Sequence, residues 1–182
     1  MNKSTKMLTR AGVIAALYVA LTFVTLPVAS GAIQFRPGEA LTVLPLLFAE
    51  SVPAVFFGCL IANLITGTAV QDIVFGSLVT LLAAACTYLC GKTLKNKWTK
   101  ALVGGIFPVV FNAFFLPLIW LWAYGALEFA YIVQAAFLLL SQGAAVYALG
   151  VPLYFSLRKA QEKYPAVFGT QVSGKTAKKQ KI

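Results

Sequence analysis

The chain has no histidine, five acidic residues and three cysteines, and each shortage removes a class of function. Cys86 and Cys90 are four residues apart, which puts them on one helix face, but no imidazole exists to complete a metal site with them. An odd set of cysteines gives no disulfide framework. Cys59, Cys86 and Cys90 all fall within apolar runs and read as small packing residues. No two acids stand at catalytic spacing and no nucleophile–base pair is present, so neither an enzyme nor a bound cofactor or metal is expected. Charged residues make up only 11% of the chain, too few to cover the surface of a soluble domain.

What is present in excess is apolar. Hydrophobic residues account for 60% of the 182 positions, and the mean hydropathy is +0.84. Successive apolar runs of roughly twenty residues are long enough to cross a hydrocarbon core about 30 Å thick. The formal charge of +10 raises the question of nucleic acid, but its distribution answers it. The basic residues gather in three clusters: Lys3, Lys6 and Arg10; Lys92, Lys95, Lys97 and Lys100; and Arg158 through Lys178, Lys179 and Lys181. These flank apolar segments, where the positive-inside bias puts them on the cytoplasmic face. The reading is an all-α integral membrane protein, a single bundle of about six transmembrane helices with both termini cytoplasmic. Residues 1–160 form the bundle, and 161–182 read as a basic, disordered cytoplasmic tail.

Six spans follow along the chain. The first runs from about Leu8 to Pro27; its apolar stretch is too long for a signal-peptide core. A short segment from Pro37 to about Glu50 has a proline at its start and Pro45 placed to kink it. The third span covers about Ala54–Thr66 and the fourth about Asp72–Gly91. A basic loop, Lys92–Lys100, separates them from a fifth span, Ala101–Tyr124, bent by Pro108 and Pro117. The sixth runs from near Glu128 to near Leu157 and is long enough to break around Gly143 or Gly150.

Ionisable side chains in a bilayer cost about 2.5–3.5 kcal/mol each on insertion scales, so the exceptions carry information. Arg36 and Glu39 stand three residues apart at the outer end of the second segment, with Gln34 beside them. They form either an ion pair that pins a helix end or the floor of a pocket that opens outward. Asp72 and Glu128 open the fourth and sixth spans, as helix caps or as site acids. Asn63, Asn112 and Gln134 are either interhelical hydrogen-bonding groups or pocket groups. Trp120, Trp122 and Tyr124 end the fifth span as an interfacial belt, unless one ring turns inward as a stacking surface. Polar and aromatic groups therefore collect in the outer half of the bundle. The inner half is bare apart from Glu50 and Gln142.

Two patterns remain. Gly12, Ala16 and Ala20 recur every four residues on the first span, with Ala11 and Ala15 on an adjacent row, a stripe that lets another helix approach closely. The run Gly169 to Thr176 matches the P-loop spacing formally. It has neither a preceding strand nor room for a following helix, so it reads as a chance match.

Gly31-Ala32-Ile33-Gln34-Phe35-Arg36, followed by Glu39-Ala40-Leu41-Thr42-Val43-Leu44-Pro45, resembles the queuosine-precursor transporter (QueT) family, as does Ala15-Ala16-Leu17-Tyr18-Val19-Ala20-Leu21-Thr22. The likeness extends over roughly residues 7–160. It implies the substrate-binding S-component of an energy-coupling factor transporter, which works with a transmembrane coupling subunit and two cytoplasmic ATPase subunits. The implied ligand is a 7-deazaguanine, either the aminomethyl or cyano precursor of queuosine or queuine itself. Under that resemblance Glu39 accepts from the guanine-like edge, with Arg36 orienting it. Asn63, Asn112 or Gln134 pairs with carbonyl or ring nitrogens, and Trp120 or Trp122 stacks. Asp72 or Glu128 meets an aminomethyl cation, and the stripe of Gly12, Ala16 and Ala20 is the docking face. An S-component for another small heterocycle and a membrane scaffold without a ligand are the competing expectations.

Overall fold

An α-helix rises 1.5 Å per residue, so only runs near twenty residues cross a bilayer core. The computed structural model describes residues 2–29, 34–127 and 129–168, all of them helical or connecting segments without a strand. Among the described residues four stretches are long and apolar enough to cross: Ser4–Val24, Asp72–Thr93, Lys97–Tyr124 and Tyr131–Lys163. In chain order the helices are α1 (Lys3–Val24), α2 (Leu26–Ala29), α3 (Ser51–Thr66), α4 (Ser77–Thr93), α5 (Lys97–Tyr124), α6 (Tyr131–Gly143), α7 (Val151–Lys163) and α8 (Pro165–Phe168). A π-helical turn, Asp72–Gly76, leads into α4, and a second, Ala144–Gly150, joins α6 to α7. The sixth span is therefore one long helix with a π-helical section between Gly143 and Gly150, where the sequence marked a break. Six helical segments make up the bundle, two of them, α3 and the segment before it, shorter than a full span.

That preceding segment, Pro37–Leu46, is the centre of the molecule. It is a 3-10 helix, ten residues at about 2.0 Å each, or roughly 20 Å long. Every residue from Gly38 to Leu46 is buried, as suits a helix that is apolar on all sides except at Glu39 and Thr42. Its thin rod lets neighbouring backbones come close. A Cβ added to Gly150 would stand 2.8 Å from the Ala40 carbonyl oxygen, and one on Gly91 would stand 3.0 Å from the Leu46 Cα. The sequence reading extended this segment to Glu50; the structure ends it at Leu46 and turns the chain through residues 47–50.

The basic loop is also shorter than its composition suggests. Asn96 accepts a hydrogen bond from the Trp98 backbone N–H at 2.9 Å and starts α5 there, so Lys97 and Lys100 occupy its first turn. The Lys100 ammonium donates to the Gly91 carbonyl at the end of α4. Nearby, Trp98 packs on Phe155 of α7 with ring centroids 4.3 Å apart. At the same end, Arg10 of α1 pairs with Glu50 at 2.6 Å, lies over the Phe48 ring at 4.3 Å and donates to the Phe168 carbonyl at 3.0 Å. The start of α1, the turn before α3 and the end of the described chain thus share one face of the bundle. Helical structure continues past residue 160 through α7 and α8. Residues 169–182, including the P-loop-like run, lie outside the described residues, as does Glu128.

Candidate substrate-binding site

A cluster of buried polar groups lies at the opposite end of the 3-10 segment. Arg36 closes the N-terminus of the 3-10 segment in extended conformation, and one helical turn later Glu39 donates its backbone N–H to the Arg36 carbonyl at 3.0 Å. Both side chains are buried, Glu39 with 2% of its surface exposed. They do not form an ion pair. The ion pairs among the described residues are Arg10–Glu50 and Arg158–Glu162. Instead, Arg36 Nη1 donates to Asn63 Oδ1 of α3 at 3.0 Å, and the Tyr18 hydroxyl of α1 donates to Glu39 Oε1.

Asn63 is the joint of the cluster. Its amide oxygen holds Arg36, while its nitrogen reaches the Asp72 carbonyl at 3.4 Å and Cys59 Sγ at 3.7 Å. This ties the 3-10 segment to α3 and to the π turn. The turn carries the Asp72 side chain inward, where Trp120 of α5 and Thr68 stand beside its carboxyl. From the other side, Asn112 of α5 lies next to Glu39 and donates to Gln142 Oε1 of α6 at 3.2 Å. Gln134 is buried two turns earlier on α6. Formally, two carboxyl groups and one guanidinium meet in a region closed to water.

The two tryptophans separate. Trp120 is 9% exposed and belongs to the inner cluster with Leu116 and Leu138, whereas Trp122 is 62% exposed and meets Phe75 edge-on at 5.3 Å. Tyr124 is also exposed; its hydroxyl accepts the Ala69 backbone N–H at 3.1 Å. The structure therefore brings Glu39, Arg36, Asn63, Asp72, Asn112 and Trp120 together and leaves Trp122 and Tyr124 on the outside.

Buried polar atoms almost always have partners, and one without costs about 1–3 kcal/mol. Among the described residues four buried side-chain atoms lack one: Thr22 Oγ1, Gln34 Oε1, Arg36 Nε and Glu39 Oε2. All four lie on or beside the start of the 3-10 segment. Gln34 adds a further cost, because its φ of 43° lies in the left-handed region that non-glycine residues seldom adopt. Two acceptors, one N–H donor and one hydroxyl that can do either, with an indole wall nearby, make a surface able to hydrogen-bond the edge of a polar heterocycle.

Sequence reasoning did not single out Tyr18, Thr22 or Cys59 for this site, and it left Gln142 in the inner half. A signal existed for the first two: hydroxyl residues four apart on an apolar helix, on the face opposite its small residues.

No curated protein and no solved structure matches the chain. A family model does, that of the QueT transporter, over residues 8–159. This interval includes the whole buried polar cluster and most or all of each of the four apolar spans among the described residues. The chain, a multi-pass membrane transport protein, belongs to the QueT transporter family.

Proposed function

We propose that this chain is the high-affinity substrate-binding S-component of an energy-coupling factor importer and that it captures a 7-deazaguanine precursor of queuosine. The observation that carries the reading is the Glu39 carboxylate. Tyr18 fixes one oxygen, and the other is buried without a partner. A carboxylate held this way accepts both the ring N–H and the exocyclic amino group of a guanine-like edge. Gln34 and Arg36 supply a further acceptor and donor beside it. Trp120 is the stacking ring, and Asn112, with Asn63 behind Arg36, completes the frame. The second acid, Asp72, favours the aminomethyl compound over the cyano one, because an ammonium group would balance the excess of carboxylate over guanidinium.

The remaining parts of the reading concern the rest of the transporter. The face that carries Arg10, Lys92, Lys95, Lys97 and Lys100 is turned to the cytoplasm by the positive-inside bias, which leaves the polar cluster toward the outer side. Gly12, Ala16 and Ala20 are exposed along α1, and nothing within 4 Å would meet a Cβ on Gly12. Ala11 and Ala15 are half-buried at the edge of the same surface. This open row supports docking on a transmembrane coupling subunit, with ATP hydrolysed by two separate cytoplasmic subunits.

The test is uptake of the labelled aminomethyl-deazaguanine by cells that lack any other route for it. Saturable uptake that needs both this chain and a coupling module is the expected result. A chain that reaches the membrane in full amount but gives no uptake of any deazaguanine would overturn the reading and leave an S-component for another small heterocycle, or a scaffold, in its place.

A further inference from the structure

The helix that carries the open row also reaches into the polar cluster. Ala16 and Ala20 differ from Tyr18 and Thr22 by two positions, about 200° around a helix, so the two pairs lie on opposite faces. Tyr18 has no exposed surface, and Thr22 is 1% exposed. Tyr18 hydrogen-bonds Glu39, and Thr22 lies against the start of the 3-10 segment, its Oγ1 2.9 Å from where a Cβ on Gly38 would be.

The Thr22 hydroxyl is unlike the other buried threonine hydroxyls. A threonine in an apolar helix commonly turns its hydroxyl back to a carbonyl of the preceding turn. Thr87 donates instead to the Gly104 carbonyl of α5, while Thr9, Thr42, Thr66, Thr80 and Thr93 turn back to the carbonyls of Thr5, Glu39, Asn63, Gly76 and Leu89. Thr22 does neither, although the Tyr18 carbonyl is within its own turn, and its Oγ1 is buried without any partner. Packing alone gives no reason to leave it so, since a methyl group would fill the same space without the desolvation cost.

We infer that α1 is itself part of the binding site: Thr22 hydrogen-bonds the captured heterocycle directly, and Tyr18 is a positioning residue that holds Glu39 with its second oxygen toward the ligand. This rests on the reading of the cluster as a substrate site for a guanine-like ring, and it extends that reading from the Tyr18 contact with Glu39 to a direct ligand contact from the next turn of α1.

The experiment is calorimetric titration of the full-length chain with aminomethyl-deazaguanine and with its analogue lacking the exocyclic amino group, using wild type, Thr22→Val and Tyr18→Phe. Thermal unfolding of each ligand-free protein is recorded alongside. For Thr22→Val the inference expects opposite signs: an unfolding temperature equal to or above wild type, and ligand affinity at least fivefold weaker. For Tyr18→Phe it expects affinity about tenfold weaker and a smaller penalty for removing the amino group, because Glu39 no longer presents both contacts. Unchanged affinity in Thr22→Val would overturn the direct contact. Tyr18→Phe weakening both ligands by the same factor would overturn the positioning role, as a general loss of structure acts on both alike. A wild-type chain that binds neither compound would instead remove the substrate assignment itself, which separates the two failures.

Discussion

Trp120 and Trp122 sit two positions apart on α5, about 200° around the helix, so burial of one sends the other outward. Trp120 packs inside beside Asp72, and Trp122 meets Phe75 on the exterior. Stacking is worth roughly 0.5–1.5 kcal/mol beyond burial, which is up to about tenfold in affinity. Trp120→Ala is therefore expected to weaken ligand binding about tenfold or more, with Trp120→Phe recovering most of the loss. Trp122→Ala should stay within about twofold of wild type. Equal effects from the two alanine variants, measured by titration on folded protein, would contradict this placement. Much of the cluster was legible from residue type, because Glu39, Arg36, Asp72, Asn63 and Asn112 are costly in a bilayer wherever they point. Tyr18 and Thr22 were marked only by their four-residue spacing on the face opposite Gly12, Ala16 and Ala20, and hydroxyl residues are too ordinary in membrane helices for that spacing to single them out. Which indole turns inward depends on the phase of α5 against its neighbours, and composition does not carry that phase.

At the scale of elements, α1 has the clearest division of labour. Its inner face presents Tyr18 and Thr22 to the 3-10 segment, and its outer face presents Gly12, Ala16 and Ala20 to whatever lies alongside. Nothing within 4 Å would meet a Cβ on Gly12, and Ala16 and Ala20 are exposed, so on the proposed function a large side chain there acts on docking. Ala16→Trp is expected to abolish copurification with the coupling subunit and transport, while ligand affinity and thermal stability of the isolated chain stay near wild type. Loss of ligand binding in that variant would show that the outer row supports the bundle itself. The small-residue period on α1 was legible, as were the apolar spans and the interruption near Gly143 and Gly150. The 3-10 form of Pro37–Leu46 was not. An apolar run with proline at its start suits an α-helix equally well, and the tighter coil is tied to close backbone contacts from Gly91 and Gly150, which are distant in sequence. The true start of α5 was missed for a similar reason. Lysines are unfavourable at a helix N-terminus, yet here the Asn96 cap sets the start and the lysines follow it.

The whole molecule joins a basic face, where Arg10 gathers the chain's early and late segments, to an opposite polar cluster, where a carboxylate oxygen is buried without a partner. On the proposed function this oxygen binds a guanine-like ligand. The most direct measurement is calorimetric titration of the purified wild-type chain and of Glu39→Gln with aminomethyl-deazaguanine, with guanine and riboflavin as controls. A hydrogen bond to a charged acceptor contributes about 1.5–3 kcal/mol, or roughly ten- to a hundredfold in affinity. The expected result is one-to-one binding by wild type, much weaker binding of guanine, none of riboflavin, and a loss of about that size in Glu39→Gln with its fold intact. A well-folded wild-type chain that takes up no ligand, or a Glu39→Gln chain that binds as tightly as wild type, would contradict it.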